Sequence, residues 1–256
     1  MDRSGSRAHE WQSREYAAYW VSDAESRDHE RTEQLALLAS LLPFPPDAPL
    51  RVLDLGAGYG IVTGTVLRAF PRARVTLFDL SEAMLEHARS RLAPHAAQLD
   101  YAVGDLSRPD WLDAVHGPYD AVVSAAVLHN LRDGPRIAAI YRELATILSP
   151  GGAFLCLDHV SAGGRRIERQ FDALRPTRRH GDEAERAAAA EAAAHAHAGA
   201  AAAAAVAAAQ EAPSLRFPGS IAEHLAWLRA AGFTEVDCFW KNMHRALYGG
   251  YMPESS

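Results

Sequence analysis

The sequence predicts an α/β protein built on a doubly wound, seven-stranded, mostly parallel sheet. Three observations predict it. Short apolar runs alternate with stretches of helical periodicity between residues 51 and 160, which is the pattern of successive βαβ units. A glycine-rich turn, "GAGYG" (56–60), follows the first of these runs, at the edge where an open parallel sheet takes its ligand. Two strand-like runs near the end, "TEVDCFWKN" and "RALYGGYM", are joined by a very short connection. Such a connection cannot cross over to a parallel neighbour, so the last strand is expected to be antiparallel.

Taken in order, residues 9–42 read as helical, with Trp11, Tyr16, Tyr19 and Trp20 ahead of "ERTEQLALLASLL". "PFPPDAP" (43–49) stops the helix, because each proline removes a donor and restricts its predecessor. "RVLDL" (51–55) is a strand and 60–70 a helix. "RVTLFDL" (74–80) is a strand, and "SEAMLEHARSRL" (81–92) a helix capped by Ser81. "LDYAVGD" (99–105) and "YDAVVSAAV" (119–127) are strands. A helix at 134–148, the turn "SPGG" (149–152) and a strand "AFLCLDHV" (153–160) follow. "SIAEHLAWLRAAGF" (220–233) is an amphipathic helix closed by Gly232. Between these last two parts, 18 of the 23 residues in 187–209 are alanine. That composition has the highest helix propensity and little bulk to bury, so it reads as an exposed or loosely docked helix, either a lid or passenger sequence. His195 and His197 within it stand two apart and face different sides of a helix, so no metal site is expected there.

The balance of 48% apolar and 23% charged residues is that of a soluble globular chain. A net charge of −6 argues against broad phosphate neutralisation and so against a nucleic-acid partner, despite local clusters at Arg165, Arg166 and Arg169 and at Arg175, Arg178 and Arg179. Two cysteines, Cys156 and Cys238, both in strand-like runs, imply no disulfide framework. The N-terminus lacks the apolar core of a secretion signal, and no membrane span is expected. A cytoplasmic protein is the expectation.

The glycine turn narrows the chemistry. Gly56, Gly58 and Gly60 are spaced G-x-G-x-G, with Ile61 where a dinucleotide fingerprint would place its third glycine. Asp54 stands two residues before the first glycine. A carboxylate there repels a pyrophosphate and suits a ligand with an ammonium group, such as S-adenosylmethionine, whose carboxylate would meet backbone amides at the helix N-terminus. Asp79 ends the second strand, 19 residues after Gly60, where a carboxylate can take both hydroxyls of a ribose. Gly104 and Asp105 end the third strand within reach of an adenine amino group. "SAAVLHNL" (124–131) follows the fourth strand, where the methionine part and the methyl would lie.

The order "VLDLGAGYG", "VTLFDLSEAMLEHA", "VGDL", "YDAVVSAAVLHNL", "ELATILSPGGAFLCLD" and "LRAAGF" resembles the class I S-adenosylmethionine-dependent methyltransferase family over roughly residues 50–160 and 220–250. The resemblance implies a Rossmann-like sheet of order 3-2-1-4-5-7-6 and a single domain over 1–256. Within it, 1–46 would form a helical N-terminal cap and 50–160 the cofactor-binding core. Residues 161–219 would be an insertion holding the alanine tract, and 220–256 the C-terminal helix and two strands. It implies S-adenosylmethionine as cofactor, held by Asp54, Gly56, Ala57, Gly58 and Gly60, then by Asp79, Leu80 and Met84. Gly104, Asp105, Leu106, Ser124 and Ala125 would complete the set, with Tyr16 and Tyr19 as lid contacts from the N-terminal helix.

Displacement at a sulfonium demands alignment and exclusion of water more than acid–base help. Three side chains at strand ends could serve as a base where one is needed: His129, Asp158 and His159. His129 is the leading catalytic candidate, and the expectation is that it lines the acceptor side without moving a proton. A small-molecule acceptor is favoured because signatures of nucleic-acid and protein-arginine methylation are absent; a homodimer is an admissible assembly. Two alternatives stand beside this reading: a non-catalytic subunit that binds the same cofactor, and an enzyme that uses it for a reaction other than methyl transfer.

Overall fold

The computed structural model describes Ala17, Val21, residues 31–174 and residues 217–255. Tyr16, Tyr19, the alanine tract and the arginines at 175, 178 and 179 lie outside the described residues. The elements are α1 (Thr32–Ser40), β1 (Arg51–Leu55), α2 (Ile61–Ala69), β2 (Arg74–Asp79), α3 (Glu82–Arg91), β3 (Leu99–Val103) and β4 (Tyr119–Ala125). They continue with α4 (Gly134–Ile147), β5 (Leu148–His159), α5 (Arg165–Ala173), α6 (Ile221–Ala230), β6 (Thr234–Asn242) and β7 (Arg245–Tyr251). The sheet runs β3-β2-β1-β4-β5-β7-β6, with β7 antiparallel to both neighbours and the other pairs parallel. This is the expected architecture.

Alternation along each strand divides the core between two faces. Val52, Val75, Leu77 and Val123 pack on one face with Leu35, Leu38 and Val66. Leu53, Leu55, Val122 and Phe154 pack on the other with Ile137, Tyr141 and Leu228. Both faces are covered, which explains why these strands read as continuous apolar runs. Each such side chain contributes about 1.5–3 kcal/mol when fully buried. The caps follow the sequence: Ser81 accepts a hydrogen bond from the Met84 amide at 3.3 Å, and Ser220 and Glu223 form a reciprocal capping box.

Three differences from the expected boundaries have physical causes. Strands 2, 3 and 4 stop at Asp79, Val103 and Ala125, one or two residues early, because the residues beyond turn away from the ladder to line the ligand cleft. β5 begins at Leu148 and absorbs the "SPGG" stretch that reads as a turn. Its register with β4 jumps from Tyr119 opposite Leu148 to Ala121 opposite Ala153, and Gly151 at φ +71° carries the bulge. Finally, α5 lies where only an undifferentiated insertion was expected, its Glu168 buried although the helix is strongly polar.

Candidate active site

The cleft is built from the β1–α2 turn outward. The amides of Gly56 and Ala57 donate to the Phe78 carbonyl at 2.7 and 2.9 Å, tying the turn to the end of β2. Gly56, Gly58 and Gly60 all have positive φ, at +72°, +53° and +82°, a conformation that only glycine adopts without strain. A Cβ on Gly56 would collide with the Val127 side chain, whereas one on Gly58 would meet only Met84 Cε at 3.8 Å. Gly56 is therefore bare for packing, and Gly58 is bare toward the cleft that it lines.

Asp79 closes the floor. Its Oδ2 accepts from the Gly58 amide at 2.8 Å and its Oδ1 from the Ser81 amide at 2.8 Å. Each oxygen retains a lone pair for a ligand. Burial raises the Asp79 carboxyl above its usual range, and the three backbone donors of Ser81, Gly58 and Leu80 oppose that. Around Asp79 the cleft is lined by Ala57, Leu80 and Met84 on one side and by Gly104, Asp105, Leu106 and Ala125 on the other. Its open volume is about 970 Å³ counting the mouth. Ala17 and Val21 pack on Tyr59, Ala83 and Met84 beside it.

Three residues from the expected set stand behind this lining. Asp54 is fully buried and accepts from the Thr63 amide at 3.0 Å and the Thr63 hydroxyl at 2.6 Å. Its second oxygen has no partner. Burial raises its carboxyl from 3.8 to about 7 against the Thr63 bonds, and the nearby Asp79 adds to the rise. Ser124 is buried with its hydroxyl on the Leu55 carbonyl at 2.8 Å, and Gly60 packs against Leu92 and Ala88. Val127, Asn130 and Leu131, within the 124–131 stretch expected near the methionine part, do line the cleft, which also uses residues that the motif reading passed over: Arg31, Tyr59 and Phe78. Tyr59, inside the glycine motif, was the signal available; its hydroxyl accepts from Arg31 at 3.1 Å.

A second cluster adjoins the cleft. His129 lies in the helical turn Leu128–Leu131, between the cleft residues Val127 and Asn130. Its Nδ1 is 2.5 Å from Asp158 Oδ1, and its amide donates to Asp158 Oδ2 at 3.2 Å. The His159 amide also donates to Asp158, at 2.7 Å. Burial alone would raise the Asp158 carboxyl, but the charge and hydrogen bond of His129, with those of His159, hold it well below the usual carboxylate range. The His129 ring meets His159 edge-on at 4.7 Å and Phe217 at 5.7 Å. All three base candidates thus come together, and Asp158 serves as the anchor. Because the carboxylate can only accept, the neutral His129 ring carries its hydrogen on Nδ1 and presents Nε2 as the basic nitrogen.

Comparison with known proteins gives consistent relatives. Residues 52–152 match the family model described as a methyltransferase domain. A trans-aconitate 2-methyltransferase from Methylobacterium nodulans is 31% identical over 222 residues, covering 86% of this chain and 70% of that protein. A ubiquinone/menaquinone biosynthesis C-methyltransferase UbiE from the same organism is 33% identical over 160 residues, which is 60% of this chain and only 59% of that relative's length. Among solved structures, human N-acetylserotonin methyltransferase in complex with S-adenosylmethionine superposes with a TM-score of 0.60 at 14% identity, over 95% of this chain and 57% of that one. At that identity the likeness is one of fold. Among the described residues no helix is long and apolar enough to cross a membrane.

Proposed function

The chain belongs to the class I S-adenosylmethionine-dependent methyltransferase family, and from that premise we propose that it methylates a small-molecule acceptor that must lose a proton. The residues suit the cofactor. Asp79 has a lone pair free beside a backbone cradle at Gly58, an acceptor suited to the hydroxyls of a ribose. When bound, the cofactor supplies a methyl group on a sulfonium, an activated leaving group.

The chain's own part is to hold and deprotonate the acceptor. The observation that carries this reading is the His129–Asp158 pair, set in the turn whose flanking residues line the cleft. A carboxylate acceptor, as in the trans-aconitate relative's name, is already anionic and gains little from a base. A phenolic or enolic hydroxyl, or an activated ring carbon of the kind implied by the name of the C-methyltransferase relative, gains about 10²–10⁴ in rate from a positioned base. Asp158 fixes the ring's tautomer and stabilises the imidazolium as His129 takes the proton.

The test is a methyl-transfer assay with labelled S-adenosylmethionine on two panels, phenols and hydroquinones against small polycarboxylates including trans-aconitate. Turnover of the first panel that falls in His129→Ala supports the proposal. Turnover confined to the polycarboxylates, unaffected by His129→Ala, overturns it.

A further inference from the structure

A separate group of side chains lies beyond the His129 cluster, where α5 meets the β6–β7 turn. His244 is 3% exposed, and its Nδ1 lies 3.1 Å from the Val160 carbonyl. A carbonyl can only accept, so Nδ1 carries the hydrogen and the neutral ring has a bare lone pair on Nε2. That nitrogen faces Glu168 Oε1 at 3.4 Å. Glu168 is 6% exposed; its Oε2 accepts from the Ala162 amide at 3.0 Å, while neither Glu168 Oε1 nor His244 Nε2 has a hydrogen-bond partner. Two buried acceptors pointed at each other require something positive between them. Asp172 stands one helical turn after Glu168, and its carboxylate, Glu168's and the His244 nitrogen all lie within 4.8 Å of one another.

We infer that Glu168, Asp172 and His244 form a binding site for a divalent transition-metal ion of the zinc class. A proton shared between Nε2 and Oε1 would draw a charged pair to about 2.7–2.9 Å. The observed 3.4 Å instead matches two ligands on one tetrahedral ion with bonds of about 2.1 Å. A ligating histidine usually donates its other ring hydrogen to a carbonyl or carboxylate, and His244 does so. Two carboxylates and one imidazole, without sulfur, make a donor set suited to Zn²⁺ or its first-row neighbours. The rings of Phe171 and Phe217, 5.2 and 5.5 Å from His244, wall the site, and exposed Asp172 gives an ion its way in. The ion ties α5 to the hairpin turn. Because Phe217 also packs on His129 and His159, it stiffens the wall beside the base.

The experiment uses the full chain without a histidine tag, stripped with EDTA and titrated with Zn²⁺ by calorimetry, with melting temperature followed in parallel. One equivalent bound at micromolar affinity or tighter, with a higher melting temperature, is expected. Glu168→Gln and Asp172→Asn should each weaken binding at least tenfold, while His129→Ala keeps the equivalent. Asp172→Asn alters an exposed side chain, so the test survives if the Glu168 variant fails to fold. Absence of stoichiometric binding, or binding indifferent to both carboxylate variants, overturns the proposal. So does a Glu168→Gln melting loss of the same size with and without Zn²⁺, which marks an ordinary ion pair.

Discussion

The cleft and the side-chain cluster beside it are made differently. On the β1–β2 side the cleft is shaped by backbone geometry, with three left-handed glycines in the turn and Asp79 bonded to the amides of Gly58 and Ser81. Beside it, toward β4 and β5, stands a cluster of side chains, His129, Asp158, His159 and Phe217, drawn from three separate segments, that adjoins the cleft residues Val127 and Asn130. Their carboxylates respond in opposite directions, with burial pushing Asp79 up and the histidines pulling Asp158 down. The difference teaches that the first is a backbone frame, sensitive to any added atom, while the second is a charge device, sensitive to which atom carries a proton.

The largest expected effect falls on the cluster. His129→Ala should lower turnover by about a hundredfold to ten-thousandfold with nearly unchanged affinity for S-adenosylhomocysteine. A variant that keeps wild-type turnover and loses only melting temperature would reduce His129 to packing.

On the first side, Asp54 sets a pH dependence of stability. Its folded carboxyl lies near 7 against 3.8 unfolded, so between these values the folded state holds a proton that the unfolded state has released. The contribution is complete below about pH 4 and is lost as pH rises through 7, by up to about 4 kcal/mol. Asp54→Asn keeps an acceptor for Thr63 and should flatten the slope of unfolding free energy between pH 4 and 8 in the ligand-free chain. An unchanged slope would place the cause elsewhere.

Asp79→Ala should weaken S-adenosylhomocysteine binding tenfold to a hundredfold by calorimetry, from the loss of charged hydrogen bonds of about 1.5–3 kcal/mol. Unchanged affinity in the folded variant would mean that Asp79 does not hold the cofactor.

The smallest single effect, that of Gly58, sharpens the contrast within the turn itself. Gly58→Ala should lower stability by about 1–2 kcal/mol from backbone strain alone, because its Cβ meets little. Gly56→Ala should lose a further 1–3 kcal/mol or so by displacing Val127. Chemical denaturation of the two variants gives the order, and equal losses would mean that Val127 yields freely.

Legibility followed the same division. The Gly56–Gly60 turn, the Ser81 cap and the antiparallel close of β6 on β7 were readable because each rests on residues close in sequence, whereas the strand order came with the family resemblance. Asp54 was read as a ligand contact, but the structure sets it behind the cleft lining with Thr63, a partner nine residues on that spacing alone does not single out. The His129–Asp158 bond joins residues 29 apart, and His244 meets Glu168 across a long stretch of chain, so no local pattern announced either. The β5 bulge escaped because "SPGG" has turn composition whether or not a strand runs through it.

The antiparallel β7 has a consequence for biosynthesis. It lies between β5 and β6, so the open edge of β5 acquires its neighbour only after Arg245–Tyr251 has been made. At about 5–20 residues per second, a ribosome leaves the β7-facing edge of the apolar strand Ala153–Leu157 open for several seconds. An unpaired edge of that kind is a template for a neighbouring nascent chain, so the yield of soluble protein should depend on how quickly translation reaches the final hairpin and on whether a chaperone shields β5 meanwhile.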